Sequence, residues 1–288
     1  MGANLLTKRD LRLFILEELD KIYQEPELTA IAGIIIKTIL NAKTLHEVSL
    51  SEEAISESQA ERTLNICREL KTGKPLQYVL GETFFYNCII KLNSSTLIPR
   101  PETEELVDLI IKENNKFAGH IIDFGSGSGC IAIALKANFP GSVVTGTDIS
   151  EEAVKIALEN ALVNNVNVRF IRSDIFNFEY DIVENANIIV SNPPYVRNSE
   201  KILMSRNVLE FEPHEALFVP DEDPLIFYNE ILKIAEKKLL PEGLVYFEIN
   251  EALGQQMISL LTYYGYTSVK IVDDINRRQR IIKGRKNG

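Results

Sequence analysis

The sequence has few cysteines, no Cys-x-x-Cys pair and no spacing typical of metal ligands. Cys67, Cys88 and Cys130 stand far apart in a chain with only three histidines. This pattern argues against a zinc site and against a disulfide framework. Three free thiols are typical of a protein that works in a reducing compartment.

The chain also lacks an excess of basic charge and a long apolar run. Its 31 lysines and arginines against 41 aspartates and glutamates give a net charge of −10. A protein that grips long nucleic acids needs a basic surface, so we expect no direct nucleic-acid partner. The N-terminal residues do not resemble a signal peptide, and the most apolar stretch, residues 31–40, is shorter than the ~20 residues of a membrane helix. We therefore expect a cytoplasmic protein without a membrane partner, and we also expect a monomer.

The 288 residues, with 45% apolar and 25% charged, are typical of one large or two ordinary globular domains. Residues 1–75 show apolar stripes at helical spacing and predict a small helical domain. Ser49 and Glu52 form a possible capping box for its third helix. Residues 76–100 contain two β-rich runs separated by Asn87, which predict a hairpin linker. Residues 101–288 form the remaining, larger domain.

From residue 120 onward, β-rich and helical segments alternate, which predicts an open, mostly parallel sheet with helices on both faces, an α/β Rossmann-like fold. Ligands of such sheets bind at the carboxyl ends of the strands. The predicted strands are 120–124, 142–148, 166–172, 187–191, 244–249 and 268–273. The predicted helices are 129–138, 151–164, 224–239 and 252–264.

The first strand ends in a glycine-rich loop, residues 125–129, that reads Gly-Ser-Gly-Ser-Gly. Glycines allow a sharp turn and a close approach of the backbone to a ligand, and a following helix N-terminus adds free N–H groups. The spacing differs from the Gly-x-Gly-x-x-Gly of nicotinamide sites and resembles that of S-adenosylmethionine-dependent methyltransferases. The alternative is a tight turn without a ligand.

Acidic residues end the next two strands. Asp148 stands where a carboxylate accepts ribose hydroxyls, although it could instead cap the following helix. Ser150 can serve as that cap, which favours the ribose role. Asp174 could accept from an adenine amino group with Ile175 against the ring, or could simply hold a turn.

The fourth strand ends in Asn192-Pro193-Pro194-Tyr195. The prolines hold Asn192 in an extended conformation. The Asn192 side-chain oxygen and the Pro193 carbonyl could accept from one NH₂ group, and Tyr195 offers a flat face. Two such acceptors would make a planar amide or aromatic amine a better nucleophile by favouring the charge that develops on its nitrogen. The alternative is a proline-rich turn.

Together these motifs resemble the bacterial peptide chain release factor N(5)-glutamine methyltransferases over nearly the whole chain. The family's linker pattern matches residues 75–81, its IPRPETE segment matches residues 98–104, and its E-P-x-x-A-L segment matches residues 212–217. The resemblance implies S-adenosylmethionine as methyl donor, with S-adenosylhomocysteine as product. It implies methylation of the glutamine amide in the GGQ motif of class I release factors, which the N-terminal domain helps to hold.

The resemblance also implies site residues. Those for the cofactor are Gly125, Ser126, Gly127, Ser128, Gly129, Asp148, Asp174, Ile175 and Asn192. Those for the glutamine are Asn192, Pro193, Pro194 and Tyr195, with Phe84 and Arg100 near the mouth; Asn192, Pro193 and Tyr195 are the candidate catalytic residues. Arg100 could instead brace the linker by pairing with Glu102 or Glu104.

The sequence departs from the family pattern in two places. Residues 218–225 replace a glycine-rich stretch, and we expect Pro224 to start the next helix in a stiffer loop. Near the C-terminus, Asn276 stands close to the position of a family glycine and could adopt its left-handed turn. The basic residues 277–286 are interpreted as a solvated edge strand.

Three alternative functions stay open. Adenine methylation in DNA uses similar Asn-Pro-Pro-Tyr motifs, but it needs a basic groove around a flipped base. A ribosomal-protein glutamine methyltransferase would share the catalytic features. A binding module without activity would keep the fold and lose turnover.

Overall fold

A computed structural model describes residues 7–42 and 54–288. The chain divides into two compact units, Met1–Leu80 and Gly81–Gly288. The helices are α1 (Lys8–Leu19), α2 (Glu27–Ile39), α3 (Glu57–Leu70), α4 (Leu76–Leu80), α5 (Pro101–Glu113), α6 (Cys130–Asn138), α7 (Glu151–Val163), α8 (Arg206–Phe211), α9 (Ile226–Lys238) and α10 (Gly254–Tyr263). The strands are β1 (Glu82–Phe85), β2 (Cys88–Lys91), β3 (His120–Phe124), β4 (Val143–Asp148), β5 (Arg169–Arg172), β6 (Ala186–Ser191), β7 (Val196–Arg197), β8 (Phe218–Val219), β9 (Leu239–Glu248), β10 (Thr267–Asp273) and β11 (Gln279–Arg285).

The first unit is a helical bundle around a core supplied by α1, α2 and α3. In α1 the buried residues Leu11, Ile15 and Leu19 recur every four positions and so form one apolar face. Burying a side chain of this size contributes about 1.5–3 kcal/mol. Helix α3 begins with a capping box made by Ser56 and Gln59. The capping box predicted at residues 49 and 52 lies outside the described residues, and the substrate-binding role of this unit stays a prediction.

The second unit contains a seven-stranded sheet in the order β10-β11-β9-β6-β3-β4-β5. The five strands β5, β4, β3, β6 and β9 are parallel, and β11 is antiparallel to both β9 and β10. The predicted α/β Rossmann-like fold is confirmed. All residues of β3 are buried, as expected for a central strand covered on both faces.

The structure corrects three details of the sequence interpretation. The basic residues 277–286 are not an edge strand, because β11 pairs with strands on both sides. Helix α9 begins at Ile226, so Pro224 precedes its first turn. In the turn before β11 the left-handed residue is Arg277, with a φ of 62°, rather than Asn276.

Three other features complete the fold. Strands β1 and β2 pair as an antiparallel hairpin within the second unit. The three cysteines are buried and free. Within residues 7–42 and 54–288, no helix is both long and apolar enough to cross a membrane.

Candidate active site

A cavity of about 1300 Å³, including its open mouth, lies at the carboxyl ends of the parallel strands. Because β3, β4, β5 and β6 run in the same direction, the loops that follow them meet at this edge. The predicted site residues on the cavity wall are Arg100, Gly125, Ser126, Gly127, Ser128, Asp148, Asp174, Ile175, Asn192, Pro193 and Pro194. Residues from four strand ends, far apart in the sequence, are therefore brought together as predicted.

The glycine loop reaches the cavity through its backbone. Gly125, Gly127 and Gly129 have φ values of 68°, 52° and 79°, which side chains disfavour. A Cβ on Gly125 or Gly127 would meet nothing within 4 Å, so the absent side chains leave open space that a ligand can approach. Gly129 differs, because a Cβ there would lie 2.6 Å from Phe170 Cζ. Gly129 does not line the cavity, and the absence of its side chain makes room for Phe170 of β5 and Ala157 of α7.

Asp148 ends β4 and holds the glycine loop. Its Oδ2 accepts from the Gly127 N–H at 2.8 Å, and its Oδ1 accepts from the Ser150 N–H at 2.9 Å. Ser150 caps α7 by accepting from the Ala153 N–H, as expected. Burial raises the pKa of Asp148, and the backbone N–H groups of Ser150 and Gly127 oppose this rise. Asp148 lines the cavity, and a carboxylate has more lone pairs than these backbone N–H groups use, so it can accept from a ligand as well.

Asp174 has the turn role that was its alternative and also lines the cavity. Its Oδ1 accepts from the Phe176 N–H at 2.9 Å, and its Oδ2 accepts from Asn177 Nδ2 at 2.7 Å. Ile175 and Phe176 follow it on the cavity wall, and the Phe176 ring meets Phe227 edge-on at 5.3 Å between centroids. This end of the cavity is apolar and suits a flat ring.

Two buried hydroxyls on the cavity wall lack partners among the described residues. They are Ser126 Oγ and Thr147 Oγ1. Buried polar groups in proteins are almost always hydrogen-bonded, so two such hydroxyls beside a glycine loop indicate a polar ligand. Together with open space over Gly125 and an apolar ring slot, they fit S-adenosylmethionine, which has polar amino-acid and ribose parts and a flat adenine.

Asn192 follows β6 and faces the cavity from a hydrogen-bonded chain. Asn192 Nδ2 donates to Thr103 Oγ1 at 3.1 Å, and the Thr103 hydroxyl donates to Glu248 Oε2 at 2.6 Å. Below it, Ser191 Oγ donates to the Phe124 carbonyl at 2.6 Å, which ties the end of β6 to β3. One N–H of the Asn192 amide is thereby used inside the protein.

The other substrate-site predictions are placed differently. Tyr195 does not line the cavity, and its hydroxyl donates to Glu248 Oε1 at 2.9 Å. Burial, reinforced by the Glu248 carboxylate, raises the pKa of Tyr195 well above its ordinary value. Phe84, on β1, is 63% exposed and is not part of the cavity wall. Substrate contacts by both residues stay predictions.

Arg100 lines the cavity and pairs with a residue that sequence reasoning did not connect to it. Its Nη2 donates to Glu212 Oε1 at 2.6 Å, and Glu212 Oε2 accepts from the Ile98 N–H at 3.2 Å. The suggested pairing with Glu102 or Glu104 is wrong, because the carboxylate that pairs with Arg100 is that of Glu212. Glu212 is buried, so this pair ties residues 98–100 to the segment that begins at 212.

Thr103 and Glu248 were missed as functional candidates. Both had a signal in the sequence: Thr103 belongs to the IPRPETE segment, and Glu248 is an acid at the end of an apolar strand. Burial raises the pKa of Glu248, and the hydroxyls of Thr103 and Tyr195 together with Arg280 oppose this rise. The wall residues that were not predicted include Leu97, Thr103, Thr147, Ala153, Phe176, Pro213, Glu215, Ala216, Phe227 and Ile231.

Known proteins resemble this chain in fold and in sequence. Residues 103–210 match the family model of the methyltransferase small domain. Two solved structures share the fold: a methyltransferase from Pyrococcus furiosus (19% identity, TM-score 0.53, 80% of this chain and 100% of that one) and the T. Thermophilus 16S rRNA N2 G1207 methyltransferase in complex with AdoMet and guanosine (14% identity, TM-score 0.52, 72% of this chain and 50% of that one).

Curated relatives with similar sequences identify the family more specifically. The release factor glutamine methyltransferase of Flavobacterium psychrophilum is 41% identical over 96% of this chain and 98% of its own length. That of Bacteroides thetaiotaomicron is 42% identical over 93% of this chain and 96% of its own. At this identity and coverage, the chain belongs to the release factor glutamine methyltransferase family, whose members are S-adenosylmethionine-dependent methyltransferases.

Proposed function

We propose that this protein methylates the side-chain amide nitrogen of the glutamine in the GGQ motif of class I peptide chain release factors, by direct in-line transfer from S-adenosylmethionine. The observation that carries the proposal is the placement of Asn192 on the cavity wall, with its amide nitrogen held by Thr103. That arrangement leaves the Asn192 oxygen as an acceptor for another amide. The names of the curated relatives support the same substrate.

The residues divide into a cofactor end and an acceptor end. The glycine loop and Asp148 would hold the amino-acid and ribose parts, and Asp174, Ile175 and Phe176 would hold the adenine. When bound, S-adenosylmethionine supplies a methyl group from a positively charged sulfur and becomes S-adenosylhomocysteine. Asn192 and Pro193 would accept from the substrate NH₂ and so orient its nitrogen for attack.

An amide nitrogen is a weak nucleophile because its lone pair is delocalised into the carbonyl. An acceptor on each N–H would favour a pyramidal nitrogen and stabilise the positive charge that develops as the N–C bond forms and the C–S bond breaks. The extra proton can then leave to water, so a general base before transfer is not required. The acceptors are prearranged in the protein and need no reorganisation during the reaction.

The charge of the cavity wall disfavours the DNA alternative. Of the charged residues on the wall, three are acids (Asp148, Asp174 and Glu215), and the single base, Arg100, is paired with Glu212. A flipped base within a phosphate backbone would need positive charge at this mouth. We infer a protein substrate, with no direct nucleic-acid contact, for a monomer that works in the cytoplasm and whose first unit helps to hold the release factor.

The test is methyl transfer from labelled S-adenosylmethionine to purified release factor, beside a release factor in which the glutamine of the GGQ motif is replaced by alanine. Label in the first and none in the second supports the proposal. Equal label in both would contradict the target residue. Label in neither, with S-adenosylmethionine still bound, would contradict the substrate, and ribosomal protein and DNA would then be tested as acceptors.

A further inference from the structure

Glu248 is a fully buried carboxyl group with a hydroxyl donor on each oxygen. It is the last residue of β9 and is 1% exposed. Thr103 of α5 donates to Oε2, and Tyr195 of the loop after β6 donates to Oε1. One side chain from β9 therefore connects two elements that border the acceptor end of the cavity.

The hydroxyl proton of Thr103 fixes the orientation of the Asn192 amide. The Thr103 hydroxyl has a single proton, which it donates to Glu248, so towards Asn192 it can only accept. The Asn192 amide must therefore present its nitrogen to Thr103, as observed at 3.1 Å. Its oxygen, on the other branch of the same carbon, then points away from Thr103 and stays available to accept.

Hydrogen bonds to and from the neighbouring backbone restrict the movement of these hydrogen-bonded side chains. The Tyr228 hydroxyl donates to the Glu248 carbonyl at 2.8 Å, which holds the end of β9. Asn250 Nδ2 donates to the Tyr195 carbonyl at 3.3 Å. With Ser191 tied to β3, the backbone is anchored on both sides of Asn192. The hydrogen bonds from Asn192 through Thr103 to Glu248 thus join residues whose backbone is already anchored, so their geometry can be precise.

The ionised form of Glu248 is the form that accepts from both hydroxyls. Arg280 of β11 favours that form, whereas burial and the negative charge of Glu102 oppose it. Arg280 is itself held by Asp274 and by the Ile249 carbonyl. A protonated Glu248 could donate to Thr103, whose own proton could then turn towards Asn192 and favour the flipped amide.

We propose that Glu248 is a positioning residue for methyl transfer: through Thr103 it fixes which atom of Asn192 faces the substrate amide, and it anchors Tyr195 by a direct hydrogen bond. This inference rests on the proposed role of Asn192 as an acceptor for the glutamine NH₂. It implies that Thr103 orients Asn192 through its hydroxyl group and not through its size. Neither residue touches the reacting atoms in this account.

The first experiment compares Thr103→Val with Thr103→Ser, using the full chain and purified release factor. Turnover is expressed per S-adenosylmethionine site counted by calorimetry, so an unfolded fraction does not enter. We expect Thr103→Val to lower kcat about 10²-fold, because a misoriented acceptor loses in-line geometry, with S-adenosylmethionine affinity unchanged. Thr103→Ser keeps the hydroxyl and should retain most of kcat. Equal losses in both variants, or wild-type kcat in Thr103→Val, would overturn the proposal.

The second experiment combines Glu248→Gln with Thr103→Val. A glutamine keeps the shape but presents an NH₂ group to one of the two hydroxyls, so we expect kcat to fall and the Asn192 acceptor to be misoriented. If both residues act through one chain, the double variant should be little worse than the more damaged single variant. Independent losses that multiply would overturn the proposal.

Asn192→Ala separates this inference from the proposed function. If Asn192→Ala loses turnover while Thr103→Val does not, only the positioning role fails. If Asn192→Ala keeps turnover, the acceptor role on which both rest is wrong.

Discussion

Two loops at the same edge of the sheet present different groups to the cavity, backbone in one and a side chain in the other. Residues 125–129 after β3 present backbone, with three left-handed glycines and open space where side chains of Gly125 and Gly127 would be. Residues 192–195 after β6 present a side chain on a proline-stiffened backbone, oriented by a buried carboxylate. Backbone contact needs the absence of side chains, whereas side-chain contact needs a network behind it.

The buried carboxyl groups beside these two loops also differ, in their hydrogen-bond partners. Glu248 behind the second loop has a donor on each oxygen. Asp123, two residues before the first loop, is fully buried and neither oxygen has a partner among the described residues. Burial, reinforced by the nearby Asp148, raises the pKa of Asp123 well above its ordinary value; the Ala132 N–H opposes this rise without making a hydrogen bond of standard geometry.

The largest expected effect is on the second loop. Asn192→Ala removes the acceptor that stabilises charge on the substrate nitrogen, so kcat should fall roughly 10²–10³-fold. S-adenosylmethionine affinity should be unchanged if the two loops divide the work as described. Steady-state methyl transfer and calorimetry measure the two quantities. The control is Asn198→Ala, an exposed asparagine six residues later, which should behave as wild type.

The next effect tests the packing role of the first loop. Gly129→Ala places a Cβ 2.6 Å from Phe170 Cζ at a φ of 79°, so we expect it to lower the free energy of unfolding by roughly 2–4 kcal/mol. Gly265→Ala has a similar φ of 76° with nothing within 4 Å, and should cost about 1–2 kcal/mol. Urea denaturation compares them. Equal costs would show that the contact with Phe170 does not matter.

A smaller effect concerns the anchor of the glycine loop. Asp148→Asn replaces one acceptor with an NH₂ group that faces a backbone N–H, and it removes a partner for ribose. We expect S-adenosylmethionine affinity to fall about tenfold, or about 1.4 kcal/mol, measured by calorimetry. Asp223→Asn, at an exposed aspartate, is the control. An unchanged affinity in Asp148→Asn would contradict the proposed cofactor role.

The smallest effect concerns the titration of Asp123, the buried carboxyl beside the first loop. The folded state raises the pKa of Asp123 above its unfolded value near 4, so the folded form binds more protons than the unfolded form between these two pKa values. Wild type therefore loses stability as pH rises from the unfolded pKa towards the folded one. Asp123→Asn does not titrate there. Its stability relative to wild type should therefore improve as pH rises from 4 to 7, as followed by urea denaturation. A difference that does not change with pH would contradict the assigned shift.

Local sequence predicted the elements whose signal is local. The strand 120–124 and the helix predicted at 151–164 follow from an apolar run and from apolar periodicity with a serine cap, and the glycine and proline loops are readable as motifs. Strand β11 was misinterpreted because its basic residues resemble a solvated edge, and only its pairing with β9 and β10 places it inside the sheet. Pairing between distant segments has no local signature.

The same reason limited prediction of the site. The wall residues that were predicted, apart from Arg100, follow directly after strands. The bonds from Thr103 to Glu248 and from Arg100 to Glu212 join residues 145 and 112 positions apart, so no spacing rule could show them. The left-handed residue at Arg277 instead of Asn276 shows that turn geometry can override residue preference.

Mass spectrometry of release factor treated with wild type or with Asn192→Ala locates the transferred methyl group and tests the role of Asn192 in its transfer. We expect a single methyl group on the amide nitrogen of the GGQ glutamine with wild type, and about 10²-fold slower appearance of the same product with the variant. A methyl group on another residue, or equal rates for the two proteins, would contradict this expectation.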